Sequence, residues 1–406
     1  MKELGVYIHI PFCMRKCDYC DFISYSGKED YIEEYIESVK NEIKNELDII
    51  LNCNKEYQIT TIYIGGGTPS FIDSKYIMEI LNEIKKLVVE GTPLGDPTEI
   101  TIEINPGTAT IQKLEDYKKA GINRLSIGLQ ETNNEILKSI GRIHTYEQFL
   151  NTYNLARKVG FKNINVDLMI GLPNQSIENI KSSLIKVLNL NPEHISVYSL
   201  ILEEGTKLYN KYENGEIDLP DEEQERNMYW YVKNTLENEG YVHYEISNFA
   251  KQGYESKHNV NCWEQKEYIG FGLAAHSYFN RTRYSNIANI KEYIEDKNTT
   301  NKCRKKLGVG VAPKGEPTKY IIENKIVHEK QSEEAERKEY MLLGLRKIGG
   351  ISIQKFKNKF GDNPVFLFKE ELNKLVERKL IVIDGDRIRL TNKGLDLANI
   401  VWEKFV

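Results

Sequence analysis

Six short apolar runs punctuate the first half of the chain, each followed by a helical pattern or a long connection containing one. They are Gly5–Ile10, Thr60–Gly65, Glu99–Ile104, Arg124–Gly128, Asn163–Met169 and His194–Leu200. Val, Ile and Tyr dominate them, which is how buried parallel strands read. Between the first two, Tyr31, Tyr35, Val39, Ile43 and Leu47 fall near helical spacing and predict a helix over Asp30–Leu51. Shorter helices are predicted over Ile111–Ala120, ended by Gly121, and over Thr145–Val159, ended by Gly160. Alternating strands and helices imply a parallel sheet with right-handed crossovers. The predicted class is α/β, with six units forming a partial barrel.

The pattern changes near Glu333. Helices are predicted at Tyr340–Arg346, Ile353–Phe360 and Phe366–Lys379, then a hairpin of Leu380–Ile383 and Arg387–Leu390 around Asp384-Gly385-Asp386. That order suggests a small winged-helix-like α+β domain. Asn298–Ile326 differs from its surroundings, with a basic cluster around Cys303 and a Gly-Val-Gly-Val-Ala-Pro-Lys-Gly run. It reads as an inserted linker. The expected division is a barrel over 1–215, a barrel extension over 216–297, a linker over 298–332 and the tail domain over 333–406.

Bulk properties narrow the function. A net charge of −5 supplies no basic field for nucleic acid or anionic lipid. The tail carries 13 Lys and Arg against 8 Asp and Glu from Met341 onward, but without aromatic interleaving. A packing or substrate-covering role is therefore expected there, and no nucleic acid. No run of about 18 apolar residues predicts a spanning helix, so no membrane anchor is expected. The N-terminus enters a strand almost at once, leaving no room for a signal peptide. Six cysteines are too sparse for a disulfide scaffold in 406 residues, and a reduced cytoplasm is the expected compartment.

Chemistry collects where each strand ends, as it does in barrels. The first strand runs into Cys13, Cys17 and Cys20, spaced C-x3-C-x2-C, and the second into Gly65-Gly66-Gly67-Thr68-Pro69. The third carries Glu103 and the fourth leads to Gln130. The fifth carries Asp167, and the sixth leaves Tyr198 and Ser199. Full ligation of a four-iron cluster takes four thiolates. Three local ligands leave one iron for an exchangeable partner such as S-adenosylmethionine, a cofactor of radical chemistry. A structural zinc loop is the competing reading, but zinc sites normally close with paired spacings and no second pair appears. The glycines open backbone groups to an aminocarboxylate, and Glu103 suits the amino group. Gln130, Arg142 and Asp167 suit ribose hydroxyls and the carboxylate; Tyr7 suits the sulfonium or the cluster surroundings.

The cysteine loop resembles the signature of the radical S-adenosylmethionine superfamily, and Tyr7-Ile8-His9-Ile10-Pro11-Phe12-Cys13 is similar to its oxygen-independent coproporphyrinogen dehydrogenase group. The resemblance implies a TIM-like (β/α)6 partial barrel of the radical SAM type. It implies a [4Fe-4S] cluster on Cys13, Cys17 and Cys20, with S-adenosyl-L-methionine held by Tyr7, Gly66, Gly67, Thr68, Glu103, Gln130, Arg142 and Asp167. Tyr19 would contribute mainly backbone.

That group has a dehydrogenase branch and a heme-chaperone branch. The former has a fourth cysteine two residues after the third, where this chain has Asp21-Phe22, and an N-terminal extension ahead of its first ligand. Lys257-His258-Asn259-Val260-Asn261-Cys262-Trp263 resembles the chaperone branch's heme motif, with Cys262 in place of Tyr. The resemblance implies heme at His258, Asn259, Cys262 and Trp263. Imidazole and thiolate both ligate heme iron, and Trp offers the macrocycle a flat face. His276 is a second candidate, expected to be structural. The favoured reading is a heme chaperone delivering heme to an acceptor protein, with a homodimer possible and the cluster or cofactor gating release or dimerisation. The alternatives are oxidative decarboxylation of coproporphyrinogen III and an RNA-modifying radical enzyme with salt-sensitive RNA binding.

Overall fold

The computed structural model describes residues 1–54, 57–89, 98–297 and 325–406. Its first strand, β1 (Lys2–Ile10), buries every residue from Leu4 to Ile10 except the half-buried Tyr7. Such a run suits a strand covered on both faces. It is followed by β2 (Tyr57–Gly66), β3 (Glu99–Ile104), β4 (Arg124–Gln130), β5 (Ile164–Ile170) and β6 (His194–Ser199). These six lie side by side in chain order, all parallel. The crossover helices are punctuated as their sequences require. Thr145 and Gln148 form a capping box before Tyr146–Val159, and Gly160, at φ +94°, ends that helix in the left-handed region.

The sheet extends beyond the six expected strands. β7 (Val242–Glu245) and β8 (Asn248–Ala250) join β6, whereas β9 (Tyr268–Phe271) pairs parallel to β1. β10 (His276–Phe279), β11 (Thr282–Ser285) and β12 (Ile326–Lys330) continue antiparallel from β9. Among the described residues the sheet has twelve strands, with β12 and β7 at the edges. Since β8 lies beside β6 and β9 beside β1, the chain between them must cross the open side of the barrel. The helix Lys257–Trp263 makes that crossing.

The linker boundary differs from expectation as well. The region assigned to a linker ends in β12, because Ile326–Lys330 completes the edge of the sheet. Just ahead of it, Lys325 is drawn into a buried ion cluster: it pairs with Glu42 and Glu46, the latter at 2.9 Å, and Lys297 reaches the same carboxylates at 3.2 and 3.7 Å. Burial would raise the Glu42 carboxyl, but the two lysines hold it down at about 2. Residues 298–324, including Cys303, lie outside the described residues.

The tail has its own core, built on Met341, Phe356, Leu375 and Val401. Its helix starts earlier than predicted, at Glu333–Gly344, and the third helix is broken into Pro364–Leu367 and Lys369–Glu377. The hairpin forms as β14 (Ile381–Asp384) and β15 (Arg387–Leu390), joined by the two-residue β13 (Ile351–Ser352).

Candidate cofactor cavity and the crossing helix

Backbone bonds hold the cysteine loop at the ends of β1 and β2. Cys13 N–H donates to Tyr25 O at 2.8 Å, and Gly67 and Thr68 donate to Ile10 O and Phe12 O at 2.9 Å each. Asp18, between two cysteines, is clamped from both sides. Its N–H donates to Ile140 O at 3.0 Å, Leu208 N–H donates to its carbonyl at 2.7 Å, and its carboxylate pairs with Lys211 at 2.7 Å. Two side chains donate to sulfur: Thr68 Oγ1 to Cys13 Sγ at 3.4 Å, and Arg142 Nη1 to Cys17 Sγ at 3.5 Å. Arg142 also donates from Nη2 to Asn105 Oδ1 at 3.0 Å and Gly128 O at 2.5 Å. Among the described residues its buried Nε has no partner.

All three cysteines are unpaired and line one cavity of about 410 Å³. That volume suits a small organic cofactor. Tyr19, Gly66, Gly67, Thr68, Glu103, Gln130, Arg142 and Asp167 share its wall. The structure therefore brings together all but one of the residues expected to hold the cofactor. The exception is Tyr7, whose ring lies behind the wall, stacked on Tyr63 with centroids 6.3 Å apart. The Tyr7 hydroxyl meets His9 Nδ1 at 3.0 Å, and His9 Nε2 meets the Ile23 carbonyl at 2.8 Å. A carbonyl only accepts, so Nε2 carries the proton and Nδ1 accepts from Tyr7.

The glycines hold the wall open. A Cβ on Gly67 would stand 3.0 Å from Cys13 Sγ, and one on Gly65 3.0 Å from the Glu103 carboxyl. At Gly66, φ is +113° and a Cβ would meet the His9 ring at 2.6 Å. Gln130 sits after a register shift in β4 with φ +70°, a bulge that turns its amide into the cavity. Glu103 accepts from the Tyr63 hydroxyl at 2.9 Å and from Gly66 N–H at 3.1 Å. Burial, opposed by the Tyr63 bond and reinforced by the Asp167 carboxylate, pushes its carboxyl up to about 7. Asp167 accepts from Asn165 at 2.6 Å and Ser126 at 3.3 Å, and burial raises it too. Sequence reasoning missed Tyr63 and Ser126, which line the same cavity.

The crossing helix stands at the other end of the barrel interior. Its first N–H groups, on Lys257 and His258, donate to Glu99 at 3.0 and 3.1 Å, and Glu99 is the first residue of β3. His258 points into the barrel and is only 7 % exposed. Its Nδ1 pairs with Thr61 Oγ1 at 2.9 Å, and burial, then Arg124, lowers its pKa to about 4. Asn259 donates its N–H to the Ser256 cap at 3.4 Å. Burial pushes the Cys262 thiol up to about 12, so it is neutral at physiological pH. Trp263 faces the tail: the Arg346 guanidinium lies 4.4 Å from its ring centre and 4.9 Å from that of Trp402. His276, expected to be structural, is exposed.

The parallel strands, the cysteine loop and the glycine-lined cavity define a protein of the radical SAM class. A family model described as the Radical SAM superfamily matches residues 7–185, and one described as the HemN C-terminal domain matches 331–397. "Heme chaperone HemW" of Bacillus subtilis is 37% identical over 404 residues, 99% of either chain. "Heme chaperone HemW" of Lactococcus lactis is also 37% identical, over 100% of this chain and 98% of its own. The chain belongs to the HemW heme chaperone family. The coproporphyrinogen III oxidase HemN from Escherichia coli shares the fold, with a TM-score of 0.78 at 20% identity over 100% of this chain and 90% of that one. Among the described residues, no helix is long and apolar enough to cross a membrane.

Proposed function

We propose that this protein is a heme chaperone that carries a [4Fe-4S] cluster on Cys13, Cys17 and Cys20, binds S-adenosylmethionine beside it, and passes heme to an acceptor protein. The observation that carries the cofactor reading is the convergence of three unpaired cysteines, the glycine cradle and Glu103 on one cavity. The fit is chemical as well as spatial. Thr68 and Arg142 already aim donors at sulfur, and metal would replace the protons that burial keeps on Cys13 and Cys20, the latter with its thiol pushed up to about 11. Bound at such a site, the cluster and S-adenosylmethionine supply one-electron chemistry.

The protein's own groups do the rest. Glu103 receives an ammonium, the Gly66–Gly67 backbone lets a carboxylate approach, and Asp167 and Gln130 take hydroxyl groups. Arg142 fixes Cys17 and Asn105 against one another. Heme enters as cargo, on the strength of the family. The Thr61 bond occupies only Nδ1 of His258 and orients the ring, which leaves Nε2 as the nitrogen that would meet an iron atom.

Anaerobic reconstitution, a heme titration read in the Soret region, and transfer to an apo-cytochrome test this reading together. About one heme per chain, transferred on mixing, is expected. Conversion of coproporphyrinogen III to protoporphyrinogen IX without heme transfer would replace the chaperone with the dehydrogenase.

A further inference from the structure

The seam between barrel and tail holds hydrogen-bond donors that the chain itself leaves unused. Trp263 is the last residue of the crossing helix, and Trp402 ends the tail helix Ala398–Trp402. The Arg346 guanidinium lies against both rings, 4.4 and 4.9 Å from their centres. Among the described residues, Arg346 Nε, Trp263 Nε1 and Trp402 Nε1 are all buried without a hydrogen-bond partner. Buried donors are nearly always satisfied, so three together call for an acceptor from outside the chain.

The seam is also short of negative charge. Glu245 acts on Arg346 through space, but its Oε1 is taken by Ser247 N–H at 3.0 Å and by the Asn248 amide. Its Oε2 is unpartnered as well, and burial raises its carboxyl. Among the described residues, the guanidinium and this carboxyl form no ion pair. Burial works against the Arg346 charge, and Glu245 and Tyr198 offset only part of that cost. The donors are held in place by the backbone. Arg346 O accepts from Ile246 N–H at 3.2 Å, and Ile348 N–H donates to Tyr244 O at 3.1 Å. Just past the crossing helix, Gln265 donates to Glu336 O at 3.0 Å and to Glu339 at 2.8 Å, which fixes the tail against that helix.

A planar guanidinium flanked by two indole N–H groups suits a carboxylate. From His258 to Trp263 the crossing helix rises by about 7.5 Å. A macrocycle lying along it, with iron at the His258 end, would bring its propionate arms to Trp263. We propose that Arg346, Trp263 and Trp402 form a carboxylate clamp for the propionates of heme carried on the crossing helix. The proposal rests on the heme-chaperone reading and leaves the iron with His258. Two of the three clamp residues come from the tail, which thereby becomes part of the cargo site.

The test titrates the cluster-reconstituted full chain with hemin and with hemin dimethyl ester, whose two carboxylates are blocked. The unaltered protein should bind the ester about tenfold more weakly or worse, a comparison that needs no variant to fold. Arg346→Gln should weaken hemin binding by about tenfold, and Trp402→Phe, which keeps an aromatic ring and removes the N–H, by about threefold. Neither should change affinity for the ester, nor the Soret band that reports iron ligation. Equal binding of hemin and ester by the unaltered protein would overturn the proposal and leave the chaperone reading standing. So would equal losses for hemin and ester in Arg346→Gln, since they would mark a structural role. No saturable binding of either ligand by the unaltered protein would remove the chaperone reading itself.

Discussion

The ring of His258 lies against that of Tyr63, centroids 5.3 Å apart and planes 32° apart, and the Tyr63 hydroxyl donates to Glu103 at 2.9 Å. One aromatic side chain therefore separates the crossing helix from the carboxylate that faces the cofactor cavity. A displacement of His258 reaches Glu103 through a single ring.

Tyr63→Phe removes that bond and keeps the ring. Glu103 loses a donor that favours its ionised form, so affinity for S-adenosylmethionine should fall by about tenfold, near 1.5 kcal/mol for a hydrogen bond to a charged group. Calorimetric titration of the reconstituted protein measures it. Unchanged affinity would show that the Tyr63 hydroxyl does not prepare Glu103.

The Glu103 carboxyl, raised to about 7 from the usual 4.5, also sets a pH dependence. The folded protein holds this proton more tightly than the unfolded chain does. The contribution to stability is therefore fully present below pH 4.5 and is lost as the pH rises through 7. In the cluster-free protein, Glu103→Gln should be more stable than the parent at pH 8, by no more than about 3 kcal/mol, with the gap closing toward pH 4.5. Urea denaturation across that range reads the gap, and a gap that widened toward acid would reverse the argument.

Gly66 and Gly67 should separate fold from cluster. Gly66→Ala meets the His9 ring at 2.6 Å in the left-handed region, so it should lower thermal stability by about 2 kcal/mol or more. Gly67→Ala presses on Cys13 Sγ and on the Ile10 and Phe12 carbonyl oxygens, each at 3.0 Å, without an adverse φ. It should reduce iron and sulfide content after reconstitution and lower the apo-protein's melting point by less than Gly66→Ala does. Similar losses of stability in both variants would contradict the distinction.

Arg346 joins the tail to the barrel, lying between Trp263 and Trp402. Arg346→Ala should destabilise the protein by about 1–2 kcal/mol through the lost cation–π contacts and leave cluster assembly intact. Retained stability in guanidinium denaturation would show that the two cores hold together by other means.

The barrel was legible because each strand announces itself and its end. Val6-Tyr7-Ile8-His9-Ile10 runs straight into the cysteines, and capping residues such as Thr145 and Gly160 mark helix ends by local chemistry alone. The polar interior was hidden in the same runs. Thr61 and Tyr63, Arg124 and Ser126, Asn165 and Asp167, His194 and Ser196 alternate along apparently apolar strands, a period-two signal that strand composition conceals. The added strands escaped notice because β7 to β12 are three to five residues each and owe their places to long-range pairing. Burial at His258 and exposure at His276 depend on where the chain crosses the barrel, which no local pattern records.

Glu42 and Glu46 receive both Lys297 and Lys325, so one pair of carboxylates on the helix after β1 fastens both Lys297 and the residue that leads into the edge strand β12. Removal of the Glu42 carboxylate would leave two buried ammonium groups sharing one carboxylate, so the anchorage of the sheet's last strand depends on a helix that follows its first.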